Sequence, residues 1–492
     1  MRRATFTVLL LSSQALAVSF LGIGSLAQEA KADTTAAAEV RFTNPVCPSR
    51  PYLGYFEPAD QTTSPLDPGF RHAPPQWFDG GGQPIAVPLR DGTTRSATPE
   101  GVYCFQQDAD ASTARPDGVF AKISQVLGEA SQGDSISIST FSFSEKRVAK
   151  LLCDAMGRGA KVTIIYGSDS TTAASLAGSG CPSGPATVVF AGGQGQSSRL
   201  QHSKYILLDQ PSQDRSKVVF QSANFTSGVS LHHENWNFVE LPSGDPFVAA
   251  HRCHFGALES AHFNDPAHGV SGFRAAFQNC LGDSIPPGSQ SSLAIKTYFV
   301  PAQSGELPDG RAASEDLLAE VRSADAIDVI SHHLTFKPLL AALLEAISRG
   351  SKVRILLDDE IFWVGNSALP RDNFGKALYI DANGKPLTRD TDGVSAYDHY
   401  STVALFQRGC SRGASFSLNE YEALVPLIAA GAQIRYVEAN HRESLFQHNK
   451  FVVTHQAGQP QSVFSGAGNL SSAGFLRNGE NFYLIRQPEM VK

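Results

Sequence analysis

The chain has 492 residues, 42% of them hydrophobic and 18% charged, and 40 Lys and Arg against 47 Asp and Glu give a formal net charge of −7. That length suffices for two or more domains with well-buried cores, and so ordinary a composition excludes a disordered, collagenous or low-complexity chain. The acidic balance argues against a protein that grips long nucleic acid non-specifically, since such proteins carry a basic surface.

Arg2 and Arg3 precede an uncharged run from Ala4 to Gln28, and Ala30-Lys31-Ala32 has the small-x-small form of a cleavage site. Together they predict a secretory signal peptide over residues 1–32. The run is nearly long enough to span a bilayer, but its Ser, Gln and Gly content favours cleavage over anchoring. The Arg pair also permits twin-arginine export. Cleavage removes Arg2, Arg3 and Lys31 against Glu29, which takes the net charge from −7 to −9. A secreted protein, extracellular or periplasmic, is expected to oxidise its cysteines. Cys47 with Cys104, Cys153 with Cys181 and Cys253 with Cys280 are sequence neighbours, so three local bridges are expected, with Cys410 left reduced.

Residues 33–113 are rich in Pro and Gly and show no sustained period. Proline lacks the N–H that ladders and helices need, so this stretch is read as an irregular arm on the main body, tied by Cys47 and Cys104. After it comes an internal repeat. "SISISTFSF" (135–143) alternates as a strand does, and "SEKRVAKLLCDAMGRGAKVTIIYG" then reads as helix, turn and strand. "AIDVISHHLTFKPLLAALLEAISRGSKVRILLD" (326–358) repeats that grammar, with Arg349-Gly350-x-Lys352-Val353 lying 191 residues after Arg158-Gly159-x-Lys161-Val162. Strand, crossover helix and parallel strand make a βαβ unit. The expectation is an α/β chain of two halves, 114–300 and 301–492. From the shared Arg-Gly turn to the next motif takes 43 residues in the first half and 98 in the second. The additional stretch includes Phe362 and Trp363, and a long connection of this kind serves binding, a lid or buried structure.

The chemistry sits in two matching stretches, "LQHSKYILLD" (200–209) and "LFQHNKFVVTH" (445–455). A lone His-x-Lys is close to chance, but these two share their followers. His202 and Lys204 lead to Asp209, to Gln221-Ser222-Ala223-Asn224 and to Glu234-Asn235. His448 and Lys450 lead to Gly466-Ala467-Gly468-Asn469 and to Glu480-Asn481. In both copies the Glu follows the His by 32 residues.

The pattern H-x-K-x4-D, then a small-residue loop ending in Asn, then an acid, resembles the phospholipase D superfamily, and its duplication resembles the two-motif secreted bacterial members. The resemblance covers about residues 113–492. It implies two α/β/α sandwich halves about a pseudo-twofold axis, with His202 and His448 facing one phosphodiester. It further implies that Glu480 holds His202 and Glu234 holds His448, across the halves. Two departures stand out: His455 where the family has Asp, and Gln221 where Gly is usual.

The residue types suit that chemistry. One imidazole can attack phosphorus while the other protonates the leaving alcohol. Lys204, Lys450, Asn224 and Asn469 are expected to hold the phosphoryl oxygens, Ser222 to add a hydroxyl on the substrate, and Asp209 to support. Each Glu is expected to fix a histidine tautomer through Nδ1–H. By the resemblance His202 is the nucleophile and His448 the general acid, then base. No cofactor is expected. His232-His233 and His332-His333 are read as structural or supporting rather than as zinc ligands, since neighbours on a strand point to opposite faces. The expected function is a secreted phospholipase D hydrolysing glycerophospholipid headgroups at a membrane surface, for which a monomer suffices. The rivals are a secreted metal-independent nuclease and a catalytically inactive binding protein.

Overall fold

The computed structural model describes residues 36–43, 116–358 and 447–491, with short breaks at 117, 169, 179, 193–198, 227, 283–290 and 302–311, and parts of 424–437. It also describes the backbone alone of five short strands at 55–56, 85–88, 94–97, 379–380 and 386–387. The signal segment, Cys47, Cys104, Cys410, Phe362 and Trp363 lie outside the described residues.

The repeat read from the sequence folds as two copies of one unit. In the first, strand β2 (Ser135–Thr140) leads through helix α2 (Lys146–Gly157) to β3 (Lys161–Tyr166), which pairs parallel with β2. In the second, β9 (Ala326–Ser331), α7 (Lys337–Ser348) and β10 (Lys352–Asp358) do the same. The shared Arg-Gly is the helix exit: Gly159 and Gly350 turn the chain at φ +95° and +94°, a left-handed conformation that a side chain would strain.

Each motif opens a further antiparallel set. In the first half these strands are β5 (Tyr205–Gln210), β6 (Arg215–Gln221) and β7 (Glu234–Pro242). In the second they are β12 (Lys450–Gln456), β13 (Gln459–Gly466) and β14 (Glu480–Ile485). With β1 (Ala37–Thr43), β4 (Thr187–Phe190), β8 (Ile295–Val300) and β11 (Gln433–Val437), the strand orders are β1-β7-β6-β5-β2-β3-β4 and β8-β14-β13-β12-β9-β10-β11. The two orders correspond strand for strand. The second sheet carries Tyr55–Phe56 as an eighth strand.

Two expected boundaries are corrected. Residues 37–43, assigned to an irregular arm, form the edge strand of the first sheet, with Thr43 in register with Glu234. Residues 295–300, assigned to the first half, pair with β14 of the second sheet. In both cases a short alternating strand met an unpaired edge, and pairing it satisfies backbone groups that would otherwise go without partners. Of the three expected disulfides, Cys153–Cys181 and Cys253–Cys280 are formed. The third pair is outside the described residues.

A core lies within each half, and a third lies between the sheets. Helix α4 (Pro246–Ala261) supplies much of the third. There Phe220 of the first half stacks on Tyr483 of the second at 3.9 Å. His251 donates Nδ1–H to the Phe247 carbonyl at 2.7 Å and accepts from the Tyr483 hydroxyl at 2.9 Å. The Tyr205 hydroxyl meets His254 Nδ1 at 2.8 Å.

Burial pushes His251 down to about 4 and His254 well below its usual value. Each folded pKa is therefore below the unfolded one, so the unfolded chain takes the proton first. Stability from this layer is full above about pH 6.5 and is lost as pH falls toward 4, by up to about 3 kcal/mol for His251. Denaturant unfolding at pH 7 and pH 4.5 is expected to show that loss, and His251→Gln is expected to reduce the difference between the two conditions.

Candidate active site

The two motifs meet across the halves. His202 precedes β5, and its backbone N–H donates to the Gly479 carbonyl of the other half at 2.8 Å. His448 precedes β12 and donates in the same way to the His233 carbonyl at 2.9 Å. These bridges bring each imidazole to the first residue of the opposite half's last strand. His202 Nδ1 lies 2.8 Å from Glu480 Oε2, and His448 Nδ1 lies 2.7 Å from Glu234 Oε1. A carboxylate only accepts, so both Nδ1 atoms carry the proton and both Nε2 atoms are left for chemistry.

The lysines are placed alike. Lys204 Nζ donates to the His202 carbonyl at 2.8 Å, and Lys450 Nζ to the His448 carbonyl at 2.7 Å. Asn224 and Asn469 each hold a buried Oδ1 that has no partner among the described residues. Turned over, either amide presents N–H at that point, which is what a phosphoryl oxygen requires.

The electrostatics favour neutral imidazoles and an ionised Glu234. Burial is the largest influence on His202 and His448 and lowers both, His448 strongly, with lysine charge acting the same way. Burial raises Glu234, but His448, His232 and Lys450 together outweigh it and hold the carboxyl far below its usual range. Burial also brings Lys204 to about 7, with Lys450 adding to the effect and Glu480 and Glu234 opposing it. Lys204 is therefore partly charged at neutral pH, and an arriving anion would complete its protonation.

Residues 123–258 and 317–492, more than half of the chain, match the family model for the cardiolipin synthase, PLD-like domain. This chain belongs to the phospholipase D superfamily. It is a member of phosphodiesterase type. Phosphatidylserine synthase of Haemophilus influenzae Rd KW20 is similar in fold at 11% identity and TM-score 0.47, over 75% of this chain and 80% of that one. A variant of yeast tyrosyl-DNA phosphodiesterase is similar at 11% identity and TM-score 0.39, over 74% and 85%. Nuc, a phospholipase D family member from Salmonella typhimurium, is similar at 16% identity and TM-score 0.21, over 40% and 84%. No curated protein matches the sequence significantly.

One expected assignment changes. Ser222 was expected on the substrate, but its hydroxyl is buried and donates to Glu234 Oε2 at 2.5 Å while accepting from the Asn235 N–H at 3.0 Å. It braces the carboxylate instead. His232, one of the neighbouring histidines, also meets Glu234, with Nδ1 3.2 Å from Oε1. The ligand atoms of His232, Glu234 and His448 all lie within 4.8 Å of one another, close enough for one cation. Both histidines already place Nδ1–H on the same oxygen, so a cation would have to displace two protons. We read the three as a hydrogen-bonded triad.

Reading the sequence also missed the asparagines after the glutamates. Asn481 Oδ1 accepts from the Lys204 N–H at 2.7 Å, and Asn235 reaches Ser465 Oγ at 2.9 Å. The repeated Glu-Asn dipeptide was the available signal. Asp209 receives Arg252 Nη2 and Ser216 Oγ at 2.6 Å each. His455 takes a different partner: its Nε2 lies 3.0 Å from Asp328 Oδ2, on a carboxylate also held by Arg354 at 2.5 Å. His455→Asp would set two carboxylates face to face. It is expected to cost about 1–2 kcal/mol of stability while leaving turnover within about tenfold, checked by denaturant unfolding and turnover on one preparation.

Proposed function

We propose that the protein is a secreted phospholipase D, hydrolysing glycerophospholipid headgroups to phosphatidate and an alcohol. The observation that carries this reading is the crossed arrangement: two histidines, each held at Nδ1 by a carboxylate of the other half, with a lysine beside each. His202 Nε2 attacks phosphorus, the bond from phosphorus to the headgroup oxygen breaks, and that oxygen takes a proton from Nε2 of His448, which enters this step protonated on both nitrogens. His448 then removes a proton from water, whose oxygen attacks phosphorus and releases His202 Nε2. An alcohol in place of the water yields transphosphatidylation. Lys204 and Lys450 supply fixed positive charge where negative charge gathers, and the Asn224 and Asn469 amides supply donors.

The net charge of −7 supports a lipid over a long nucleic acid. The signal-like start and the two disulfides support export. One chain supplies both motifs, so a monomer suffices. A membrane surface is the proposed meeting place with substrate.

Purified mature protein in EDTA is expected to release choline from phosphatidylcholine vesicles and to leave plasmid DNA intact. DNA cleavage without lipid turnover would make it a nuclease, and binding without turnover of either would make it a binding protein. Activity lost in EDTA and restored by a single divalent cation would overturn the proposed chemistry.

A further inference from the structure

The two half-sites are built from corresponding strands, yet their neighbours differ in one consistent way. The loop after β2 places Phe141 beside His202, with ring centroids 5.3 Å apart. The loop after β9 places His332 beside His448, at 5.1 Å. Phe141 and His332 are equivalent positions, each following the last residue of its strand and two residues before a matching bridge, Phe143 to Phe225 and Leu334 to Leu470. The pattern recurs on the carboxylates. Glu480 takes its additional bond from Asn478 Nδ2 at 3.3 Å, where Glu234 takes one from His232 at 3.2 Å. His202 thus has a phenyl ring and an amide around it, groups that do not titrate. His448 has two more imidazoles, with the His232 ring at 5.7 Å.

His332 is itself oriented. Its Nδ1 lies 3.2 Å from the Gln447 carbonyl, an acceptor, so this nitrogen bears the proton. It is half-buried at the same end of the sheet as His448, and its backbone N–H donates to the Asn449 carbonyl at 3.1 Å. The loop is thereby fastened on both sides of the catalytic histidine.

We propose that His332 is a positioning residue that acts on the reaction through His448, making the second motif the proton-handling side of an otherwise symmetric site. A second imidazole about 5 Å away weakens the hold of His448 on its proton, so that protonated His448 is the stronger acid toward a departing alkoxide. Among the described residues, the groups facing His448 are Glu234 at the start of β7 and His232 just before it, Lys450 on its own strand, and His332 from the loop after β9, with the His333 ring 4.1 Å from that of His332. Glu234 favours the proton, and Lys450 and His332 oppose it. Phe141 carries no charge and does nothing equivalent for His202.

The kinetic part of this inference rests on the phosphodiesterase reading, and the titration does not. Histidine ring signals of the full mature chain are followed by NMR from pH 4 to 9, with His448 and His202 assigned by their loss in His448→Gln and His202→Gln. In His332→Gln, which keeps an amide donor for the Gln447 carbonyl, the His448 midpoint is expected to rise by about half a pH unit or more, as removal of a like charge at this distance requires. The His202 midpoint is expected to stay in place. The reciprocal Phe141→His is expected to lower the His202 midpoint and leave that of His448. An unmoved His448 in the first variant, or an unmoved His202 in the second, overturns the proposal. With an alkyl phosphodiester, the alkaline limb of kcat in His332→Gln is expected to move upward with His448, with a loss of about two- to tenfold. With a p-nitrophenyl leaving group, which scarcely needs a proton, the loss is expected to stay under about twofold. A wild type that turns over no phosphodiester would count against the function and leave the titration to decide His332.

Discussion

Glu234 and Glu480 are buried carboxylates, and each faces an imidazole delivered by the other half. A buried charge without its partner costs roughly 3–5 kcal/mol, so neither half can complete its own last strand at low cost alone. The dependence accounts for much of the surrounding architecture. The bridges from His202 to Gly479 and from His448 to His233 set the distance, and the asparagine after each glutamate ties the strand to the opposite half. The aromatic and histidine layer around Tyr205, Phe220 and Tyr483 then keeps the two sheets in one relative position. Stability and chemistry share the same contacts.

A duplicated scaffold begins symmetric, whereas a two-step reaction needs its two histidines to differ. The chain breaks the symmetry with side chains around an unchanged backbone. Ser222 braces Glu234 where Ala467 offers Glu480 nothing. His232 stands where the other half has Asn478, and His332 where it has Phe141. Away from the reaction, the supporting position at the end of the motif strand has changed more freely. Asp209 faces Arg252, while His455 faces Asp328, so a polar contact survives with the residue types altered.

Much of this was legible in the sequence because it is periodic or repeated. Alternating strands, the Arg-Gly helix exit and the 32-residue spacing from His to Glu each have a backbone cause, and all of them appear twice. The crossing of the Glu–His pairs was not legible from the residues, because it depends on which strand ends face each other, and it came from the family resemblance. Edge strands were lost for a related reason. Ala37–Thr43 is short and is followed by Pro- and Gly-rich sequence, and nothing local says that its partner lies some 200 residues away. Ser222 was misplaced because a hydroxyl beside a catalytic loop suits a substrate and a carboxylate equally well until the geometry is known. His332 was visible as a histidine, but its meaning lies in the matching Phe141, which only the corresponding strand ends and bridges reveal.

The central claim is that both halves build a single phosphodiester site. A crystal structure of the mature protein with orthovanadate tests it most directly. The account predicts one oxyanion per chain, within bonding reach of Nε2 of His202 and hydrogen-bonding reach of Nε2 of His448, with both lysine side chains turned toward it. Vanadate bound to one motif alone, or two ions on separate motifs, would contradict the shared site.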